Sequence, residues 1–316
     1  MNVLDHTEFT VDFLRPFTAT DSIKTTGSLI SCYITIENSL ENSLDIESLR
    51  KGGIRASTVF PKLNSEKLYP ISKINTILRG TKDSDREQIL ENRKKMPRFL
   101  PIGIIEKIAV NLKDNGYSGV SAGMVPDLVK YETADISYED DRMSVNLSDP
   151  ENPALYTREF NSFSGLSFES GKISGMKCWF STSLSENVDP EKFLASVRLL
   201  EEFGLSGRRT TGSGQFIMDK YEKPGDKVYE YSGEGLYLML SKYIPSEADM
   251  NSVVLSKSMY SVSNFSGSDS TGISMGSYRC FNEGSILYLK GDVTGRSYDV
   301  GKNRFLPFFP VLRRIS

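Results

Sequence analysis

The sequence has a single histidine, His6, among its 316 residues, and three widely separated cysteines, Cys32, Cys178 and Cys280. One histidine excludes a metal site with three histidine ligands, and any Ser-His-Asp or Cys-His catalytic group would have to use it. Three distant cysteines form neither a metal-binding pair nor a disulfide framework, as is typical of a reducing compartment. Neither a signal peptide nor an apolar run of the roughly 18 residues that span a membrane is visible. We therefore expect a soluble cytoplasmic protein.

Neither sign of charge dominates the chain as a whole, because 38 Lys and Arg residues face 41 Asp and Glu residues, a formal net charge of −3. A uniformly basic coat for nucleic acid is excluded, and any such binding must use a local patch. Along the chain the charge is uneven: residues 48–113 carry 15 basic and 6 acidic residues, whereas residues 131–169 carry 2 and 9. The local net charges of +9 and −7 predict two separate interaction surfaces, unless these charges merely solvate the surface.

Two groups of residues are candidates for catalysis or metal binding, and each has a simpler interpretation. His6 lies near the start of the chain, where residues are often loosely held, which favours an ordinary terminal residue. The neighbouring carboxylates of Glu139, Asp140 and Asp141 diverge in an exposed stretch, which favours a solvated acidic loop over a metal site. We expect no catalytic residue and no metal ligand.

Hydrophobic periodicity near the start of the chain predicts a strand and then a helix. Phe9, Val11 and Phe13 alternate with other residues, as in a strand with one buried face. A polar loop is predicted to follow and to end at Gly27. Apolar residues at helical spacing favour a helix over residues 28–38, although a buried strand fits them as well.

A second helix is predicted to begin at Asp189 and Pro190, an N-cap residue followed by a proline suited to the first turn. Gly204 is placed to end this helix, and a strand from residue 214 to about residue 221 follows. Strands and helices that alternate with hairpins indicate an α+β protein with antiparallel sheets. The apolar face of the helix consists of Phe193, Val197, Leu200 and Phe203.

The segment between this helix and strand has the composition of a phosphate-binding loop. Its glycines allow close approach of the backbone, its exposed amides can bind phosphate oxygens, and its arginines offer forked donors. It is not a P-loop, because no Gly-Lys-Ser/Thr follows, and the helix–loop–strand order excludes a dinucleotide fingerprint. A surface turn without a ligand remains the alternative. The candidate residues are Gly204, Gly207, Arg208, Arg209, Thr210, Thr211, Gly212, Ser213 and Gly214.

This segment resembles the glycine-rich signature of the RAMP superfamily of CRISPR proteins. Ser206 replaces a common glycine of that signature, and Ser213 replaces a common aromatic residue. The matching residues are Gly204, Gly207, Arg208, Arg209, Gly212, Gly214 and Phe216.

The end of the chain resembles the carboxy-terminal part of the fourth Csm subunits of type III-A CRISPR complexes. The shared features are a Gly-Ser-hydrophobic strand at residues 284–286, a turn at Gly295 and a closing Pro-Val-x-Arg at residues 310–313. The start of the chain is compatible, since a strand and a polar loop lead to a helix that opens near Gly27 and Ser28.

The resemblance implies two ferredoxin-like, RRM-type units with a RAMP fold. Residues 1–158 would form the first unit, with the basic insertion and a thumb, and residues 159–316 the second, with the glycine-rich loop. It also implies a non-catalytic subunit that binds the repeat-derived 5′ handle of crRNA, without a cofactor, a membrane or direct DNA contact. Its protein partners would be the large polymerase-like CRISPR subunit and a backbone RAMP subunit. Besides the glycine-rich loop, the RNA-binding residues would include Lys24, Thr25, Thr26, Gly27 and Ser28.

Other readings of the sequence stay open. The chain could be the type III-B counterpart or another RAMP subunit. It could also be a metal-independent endoribonuclease that processes guide RNA, with His6 and a tyrosine as the acid–base groups. The apolar segment at residues 305–309 fits a partner surface and a buried core equally well.

Overall fold

The computed structural model describes residues 5–14, 21–40, 45–63, 66–72, 99–115, 137–146, 154–161, 167–168, 171–172, 177–205, 214–224, 229, 233–268, 274–301 and 304–315. Within these ranges the α-helices are α1 (Ser22–Ser39), α2 (Ile46–Arg50), α3 (Ile102–Asn115) and α4 (Pro190–Phe203). Short 3₁₀ turns span Ala248–Asn251 and Leu255–Lys257. No helix in these ranges is long and apolar enough to cross a membrane.

The strands of the described ranges fall into one large sheet, one small sheet and four separate hairpins. They are β1 (Asp5–Phe13), β2 (Ile54–Ala56), β3 (Phe60–Leu63), β4 (Glu66–Pro70), β5 (Phe99–Pro101), β6 (Ser137–Asn146), β7 (Ala154–Asn161), β8 (Ser167–Phe168), β9 (Gly171–Lys172), β10 (Lys177–Leu184), β11 (Phe216–Glu222), β12 (Gly235–Met239), β13 (Val262–Ser268), β14 (Ser274–Phe281), β15 (Ile286–Leu289), β16 (Arg296–Gly301), β17 (Arg304–Phe308) and β18 (Leu312–Arg314).

The large sheet is antiparallel, with the order β11-β1-β10-β3-β4-β5 and with β2 paired to β10 beside β3. Along the chain, β1, α1, β2 with β3, β10, α4 and β11 follow the β-α-β-β-α-β order of a ferredoxin-like unit. The predicted α+β class with antiparallel sheets is confirmed. Strands from both sides of the predicted boundary between residues 158 and 159 pair within this one sheet.

One face of the large sheet packs against α1 and α4. Phe9, Val11 and Phe13 of β1 are buried in a cluster with Leu29 of α1 and Val197 of α4. Successive side chains of a strand point to opposite faces, so these apolar residues share the face that packs on the helices, whereas the buried polar residues Glu8 and Thr10 lie on the other face. The predicted strand and helix at the start of the chain are confirmed.

The opposite face of the sheet is covered by α3 and by the small sheet, which has the order β15-β12-β18. Trp179 of β10 is fully buried there, and its indole N–H donates to the carbonyl oxygen of Leu68 at 3.0 Å. Ile105 of α3 and Leu238 of β12 belong to the same cluster. The large sheet therefore lies between α1 and α4 on one side and α3 with the small sheet on the other.

The apolar segment at residues 305–309 belongs to the core. Leu306, Phe308 and Phe309 are all buried, and the Phe308 ring packs edge-on against the ring of Phe265 in β13 at 5.6 Å. The alternative of a partner surface for this segment is wrong, because its side chains are already covered by the chain itself.

Two predicted loops are regular elements instead. The polar stretch before Gly27 forms the first turns of α1, which begins at Ser22, because the Asp21 carboxylate accepts the Lys24 amide proton at 2.9 Å and caps the helix. The acidic stretch around Glu139 lies in β6, whose backbone pairs with β7. In both stretches the polar residues mark a helix start or a paired strand rather than a loop.

Candidate nucleic-acid interface

The glycine-rich segment starts where α4 ends, and both ends of this helix are specified by the sequence. The Asp189 carboxylate accepts the amide protons of Glu191 at 2.9 Å and Lys192 at 3.3 Å. Gly204 ends the helix with a φ of 80°, and its N–H donates to the Leu200 carbonyl oxygen at 2.8 Å. The predicted start and end of this helix are confirmed.

A backbone hydrogen bond closes the base of the segment. The Leu205 amide donates to the carbonyl oxygen of Gly214 at 2.9 Å, and Leu205 and Phe216 are both buried on either side of this contact. We call the pair Leu205 and Gly214 the neck. It joins the two ends of the glycine-rich segment, which has eight intervening positions. The predicted residues Gly207, Arg208, Arg209, Thr210, Thr211, Gly212 and Ser213 lie outside the described residues.

Gln215 connects the neck to the end of β1. Its side-chain amide donates to the Glu202 carbonyl oxygen at 3.1 Å, and its own carbonyl oxygen accepts the Leu14 amide proton at 3.0 Å. The last turn of α4, the start of β11 and the end of β1 therefore meet at one edge of the large sheet.

The first turn of α1 contacts the segment after β12, where the Ser22 hydroxyl accepts the Lys242 amide proton at 2.8 Å. β1 and β10 are antiparallel, and each is followed by a helix that runs back along the sheet, so α1 and α4 are antiparallel. Contacts agree with this arrangement, because Lys192 at the start of α4 binds Glu37 near the end of α1 at 3.0 Å. The first turns of α1 contact β2, where Thr26 binds Ala56, whereas the neck lies beside the end of β1, so different parts of the fold hold the two predicted RNA-binding segments.

The five predicted residues of the opening segment differ in their access to solvent. Thr25, Thr26 and Ser28 are buried, and the Thr26 hydroxyl accepts the Ala56 amide proton at 3.0 Å. These buried side chains hold α1 in place. Their burial fits a helix that packs on the sheet and does not fit the predicted polar loop. Lys24 and Gly27 are exposed, and the Lys24 side chain retains 54 % of its accessible surface, with its ammonium 3.8 Å from the Asp21 carboxylate.

Phe203 is a surface residue that the sequence pattern assigns to the buried face of α4. Its predecessors on that face, Phe193, Val197 and Leu200, are buried, whereas Phe203 is 46 % exposed. It is the last residue of α4 and directly precedes Gly204, so it lies beside the neck rather than over the sheet. Helical periodicity alone cannot reveal that Phe203 is exposed. The position of Phe203 directly before the terminating glycine is a sequence signal that could have indicated it.

His6 is held firmly, which corrects the prediction of a loosely held terminal residue. It pairs with Ser183 in the sheet, and its ring stacks on Tyr229 with 4.9 Å between ring centroids. Burial, with a smaller contribution from the nearby Arg55 guanidinium, lowers the pKa of His6 to about 4. The imidazole is therefore uncharged at neutral pH.

The described part of the chain contains no cluster of three or more His, Cys, Asp or Glu side chains that could hold a metal ion. Cys32, Cys178 and Cys280 are free thiols, and all three are buried. Burial raises the pKa of Cys178 well above its ordinary value, so this thiol stays protonated.

An antiparallel ferredoxin-like sheet with a glycine-rich segment between its second helix and its last strand is the arrangement expected of a RAMP protein. The structure is similar to a chain in the crystal structure of a Csm3-Csm4 subcomplex in the type III-A CRISPR-Cas interference complex. The match covers 98 % of this chain and 99 % of that chain, with a TM-score of 0.61 and 16 % sequence identity. A chain in the crystal structure of a Csm1-Csm4 cassette with pppApA matches over 99 % of this chain and 98 % of its own, with a TM-score of 0.51 and 13 % identity. No protein-family model and no curated protein sequence matches the chain.

These similarities extend over the whole chain and concern its fold. They confirm the resemblance drawn from the glycine-rich segment and the carboxy-terminal residues: the chain has the fold of a Csm4-like RAMP subunit.

Proposed function

We propose that the chain is a non-catalytic RNA-binding subunit of a type III-A CRISPR effector complex. In this role it binds the repeat-derived 5′ handle of crRNA and contacts the large polymerase-like subunit and a backbone RAMP subunit. The observation that carries the proposal is the full-length similarity to a chain of a Csm3-Csm4 subcomplex, together with the neck that joins the two ends of the glycine-rich segment.

The site supports binding to the RNA backbone. The segment between Leu205 and Gly214 contains Arg208 and Arg209, whose guanidinium groups suit phosphate oxygens, and its glycines allow a strand to approach closely. The first turn of α1 adds the exposed cation Lys24. Phosphate contacts of this kind position an RNA strand without reading its sequence.

We infer that the chain contains two ferredoxin-like units and that the first is interrupted by the basic region. Because β10 and β11 pair with β1, we assign β10, α4 and β11 to the first unit, although the predicted boundary places them in the second. β3 and β10 are then neighbours in the sheet but are separated by 113 residues, numbered 64–176, which leaves room for a thumb. The second unit would be built around the small sheet of β12, β15 and β18.

The environment of His6 supports the absence of catalysis. A general acid must be protonated at the working pH, and a histidine with a pKa of about 4 is neutral at pH 7 and only a weak base. Its neighbour Tyr229 donates its hydroxyl proton to the buried Glu8 carboxylate, and burial raises the pKa of Tyr229 well above its ordinary value. The His6 and Tyr229 pair therefore suits a structural role.

Binding and cleavage measured on the same samples test this function. The purified chain is incubated with fluorescent repeat-derived RNA, binding is followed by anisotropy, and the RNA is then analysed on a denaturing gel. We expect saturable binding and intact RNA. Specific cleavage that disappears in His6→Ala would instead support the guide-processing endoribonuclease.

Co-expression distinguishes the proposed subunit from other RAMP subunits. We expect the chain to co-purify with the large polymerase-like subunit of its own type III-A system, in the absence of backbone subunits. Co-purification with backbone subunits alone would favour another RAMP position, and a preference for a type III-B large subunit would favour the counterpart from that system.

A further inference from the structure

We propose that the carboxylate of Glu201 caps the free edge of the large sheet and keeps β11 from pairing with β11 of a second copy of the chain. Glu201 lies near the end of α4, two residues before its last residue. This role is independent of RNA binding and governs how the chain behaves in solution.

β11 is an edge strand, because in the described part of the chain it pairs with β1 alone and ends the order of the large sheet. An edge strand presents unpaired N–H and C=O groups, which are a template for another strand. Two apolar side chains of β11 add to this tendency, since Ile217 is 53 % exposed and Tyr221 is 51 % exposed. An unprotected edge of this kind would favour association.

The backbone of β11 alternates between the side of β1 and the free side. The Leu14 amide donates to the Gln215 carbonyl oxygen at 3.0 Å, so Gln215 faces β1, whereas Met218, three residues later, faces away from β1. The outward amide of Met218 is already bound, because the Glu201 carboxylate accepts its proton. Glu201 therefore occupies the position at which a further strand would form a hydrogen bond.

Glu201 is held in this position from its own helix. The guanidinium of Arg198, one turn earlier in α4, donates to the two oxygens of Glu201 at 3.3 Å and 3.1 Å. The Glu201 side chain retains only 15 % of its accessible surface. A carboxylate is a stronger acceptor for an amide proton than the carbonyl oxygen of an incoming strand. Pairing at Met218 would therefore replace a stronger hydrogen bond with a weaker one.

The charges of β11 do not provide this protection by themselves. Asp219 and Lys220 are adjacent and exposed, so antiparallel pairing of two β11 edges can place Asp219 of each copy opposite Lys220 of the other. The irregular register with β1 at this point makes the edge a poorer template, but it leaves the Met218 amide on the free side. Glu201 is the group that covers this amide.

The test compares the self-association of full-length variants by sedimentation velocity over a range of concentrations. Glu201→Ala should associate at least about 10-fold more strongly than wild type, because a hydrogen bond to a charged acceptor no longer opposes pairing. Glu201→Gln keeps an oxygen that can accept the Met218 amide proton and should associate less than Glu201→Ala. Glu202→Ala, which removes the exposed neighbouring carboxylate, is the matched control and should behave like wild type.

A second substitution shows whether the association uses β11. Asp219→Lys, added to Glu201→Ala, puts adjacent lysines on the edge and should return association to the wild-type level, because the lysines of two copies repel each other. Asp292→Lys, added to Glu201→Ala, makes the same change of charge at another exposed position and should leave the association unchanged.

Hydrogen exchange measures the cap itself, at a concentration at which the variants are monomeric. The Met218 amide should exchange slowly in wild type and faster in Glu201→Ala. Arg198→Ala removes only the group that holds Glu201, at an exposed position, and should accelerate this exchange to a smaller extent.

Three results would overturn the proposal. The first is a folded Glu201→Ala that associates like wild type, even if its melting temperature is lower, because Glu201 would then only fasten α4 to β11. The second is an association of Glu201→Ala that Asp219→Lys does not reverse. If Glu201→Ala does not fold, Arg198→Ala decides the matter, and wild-type exchange at Met218 together with wild-type association in that variant would be the third.

Discussion

The amide of Ser72 donates a hydrogen bond of 3.0 Å to the carbonyl oxygen of Gly284, and this contact joins the segment after β4 to the turn between β14 and β15. The approach is so close that a Cβ atom on Gly284 would lie 2.6 Å from the carbonyl carbon of Ile71 and from the Ser72 nitrogen. The Gly-Ser-hydrophobic feature of the carboxy-terminal resemblance thus has a physical cause: the large sheet and the later part of the chain meet here, backbone against backbone.

Gly284→Ala should destabilise the fold by about 2–4 kcal/mol, the sum of a backbone strain near 1 kcal/mol and an overpacking cost of about 1–3 kcal/mol. Gly301→Ala is the matched control, because Gly301 has nearly the same φ, +84° against +82°, but its Cβ would meet no atom within 4 Å. Urea denaturation of both variants measures the difference. Equal losses would mean that the contact with Ile71 and Ser72 contributes nothing.

His6 should titrate far below the ordinary range of histidine. Its pKa is lowered from 6.5 to about 4, and as the single histidine it gives one unambiguous set of imidazole signals in an NMR titration. Because the unfolded chain binds this proton more readily, stability should decrease as the pH falls from about 6.5 to about 4. His6→Phe, which preserves an aromatic ring against Tyr229, should remove that part of the pH dependence. A midpoint near 6.5 in the folded protein would contradict the buried, stacked position.

Asp249 should stabilise the later part of the chain through its charge. Burial alone would raise its pKa, but hydrogen bonds from the amides of Ser246, Thr294 and Gly295, at 2.8–2.9 Å, outweigh burial and hold the pKa below its ordinary value of 3.8. The contribution is therefore complete above pH 3.8 and is lost as the pH falls through the lower folded value.

Asp249→Asn should cost about 1–3 kcal/mol at neutral pH, because it leaves buried amide donors poorly satisfied. The free energies of unfolding of wild type and variant should converge at acid pH, below the range in which His6 titrates. Asp292→Asn, at an exposed position, is the control and should change little. A constant difference between wild type and Asp249→Asn at every pH would show that the carboxylate charge is not responsible.

The sequence predicts those features of the fold that depend on local chemistry. The alternation in β1 and the Asp189, Pro190 and Gly204 signals of α4 are visible without a structure, because each depends on neighbours along the chain. The capping of α1 by Asp21 is equally local, but the threonines behind it suggest a loop until Thr26 is seen to bind Ala56, 30 residues away.

What the sequence could not predict depends on contacts between distant segments. The insertion of β10 between β1 and β3 and the exposure of Phe203 follow from the arrangement of whole elements. Lys24 and Phe203 illustrate the difference. Lys24 was predicted from its segment, whereas Phe203 was assigned to the core, because helical periodicity does not show where a sheet ends.

Separate variants can test the charge of the glycine-rich loop and the space that its glycines leave for an RNA backbone. Gly212→Val leaves the charge unchanged and should weaken RNA binding by blocking close approach of the backbone, with little change in salt dependence. A variant that binds like wild type would show that no strand approaches this glycine.

The most direct test of the account is the salt dependence of RNA binding in Arg208→Ala/Arg209→Ala. Lys257→Ala/Lys290→Ala, which removes two exposed cations beside the small sheet, serves as a control of equal charge. Each phosphate neutralised on a single strand contributes a slope of about −0.7 in log K against log [salt]. The account predicts that the arginine variant weakens binding for every RNA sequence and flattens the slope by about 1.4, while the lysine variant keeps the wild-type slope. A folded arginine variant with wild-type affinity and slope would contradict the account and would show that the glycine-rich segment is a surface turn without an RNA-binding role.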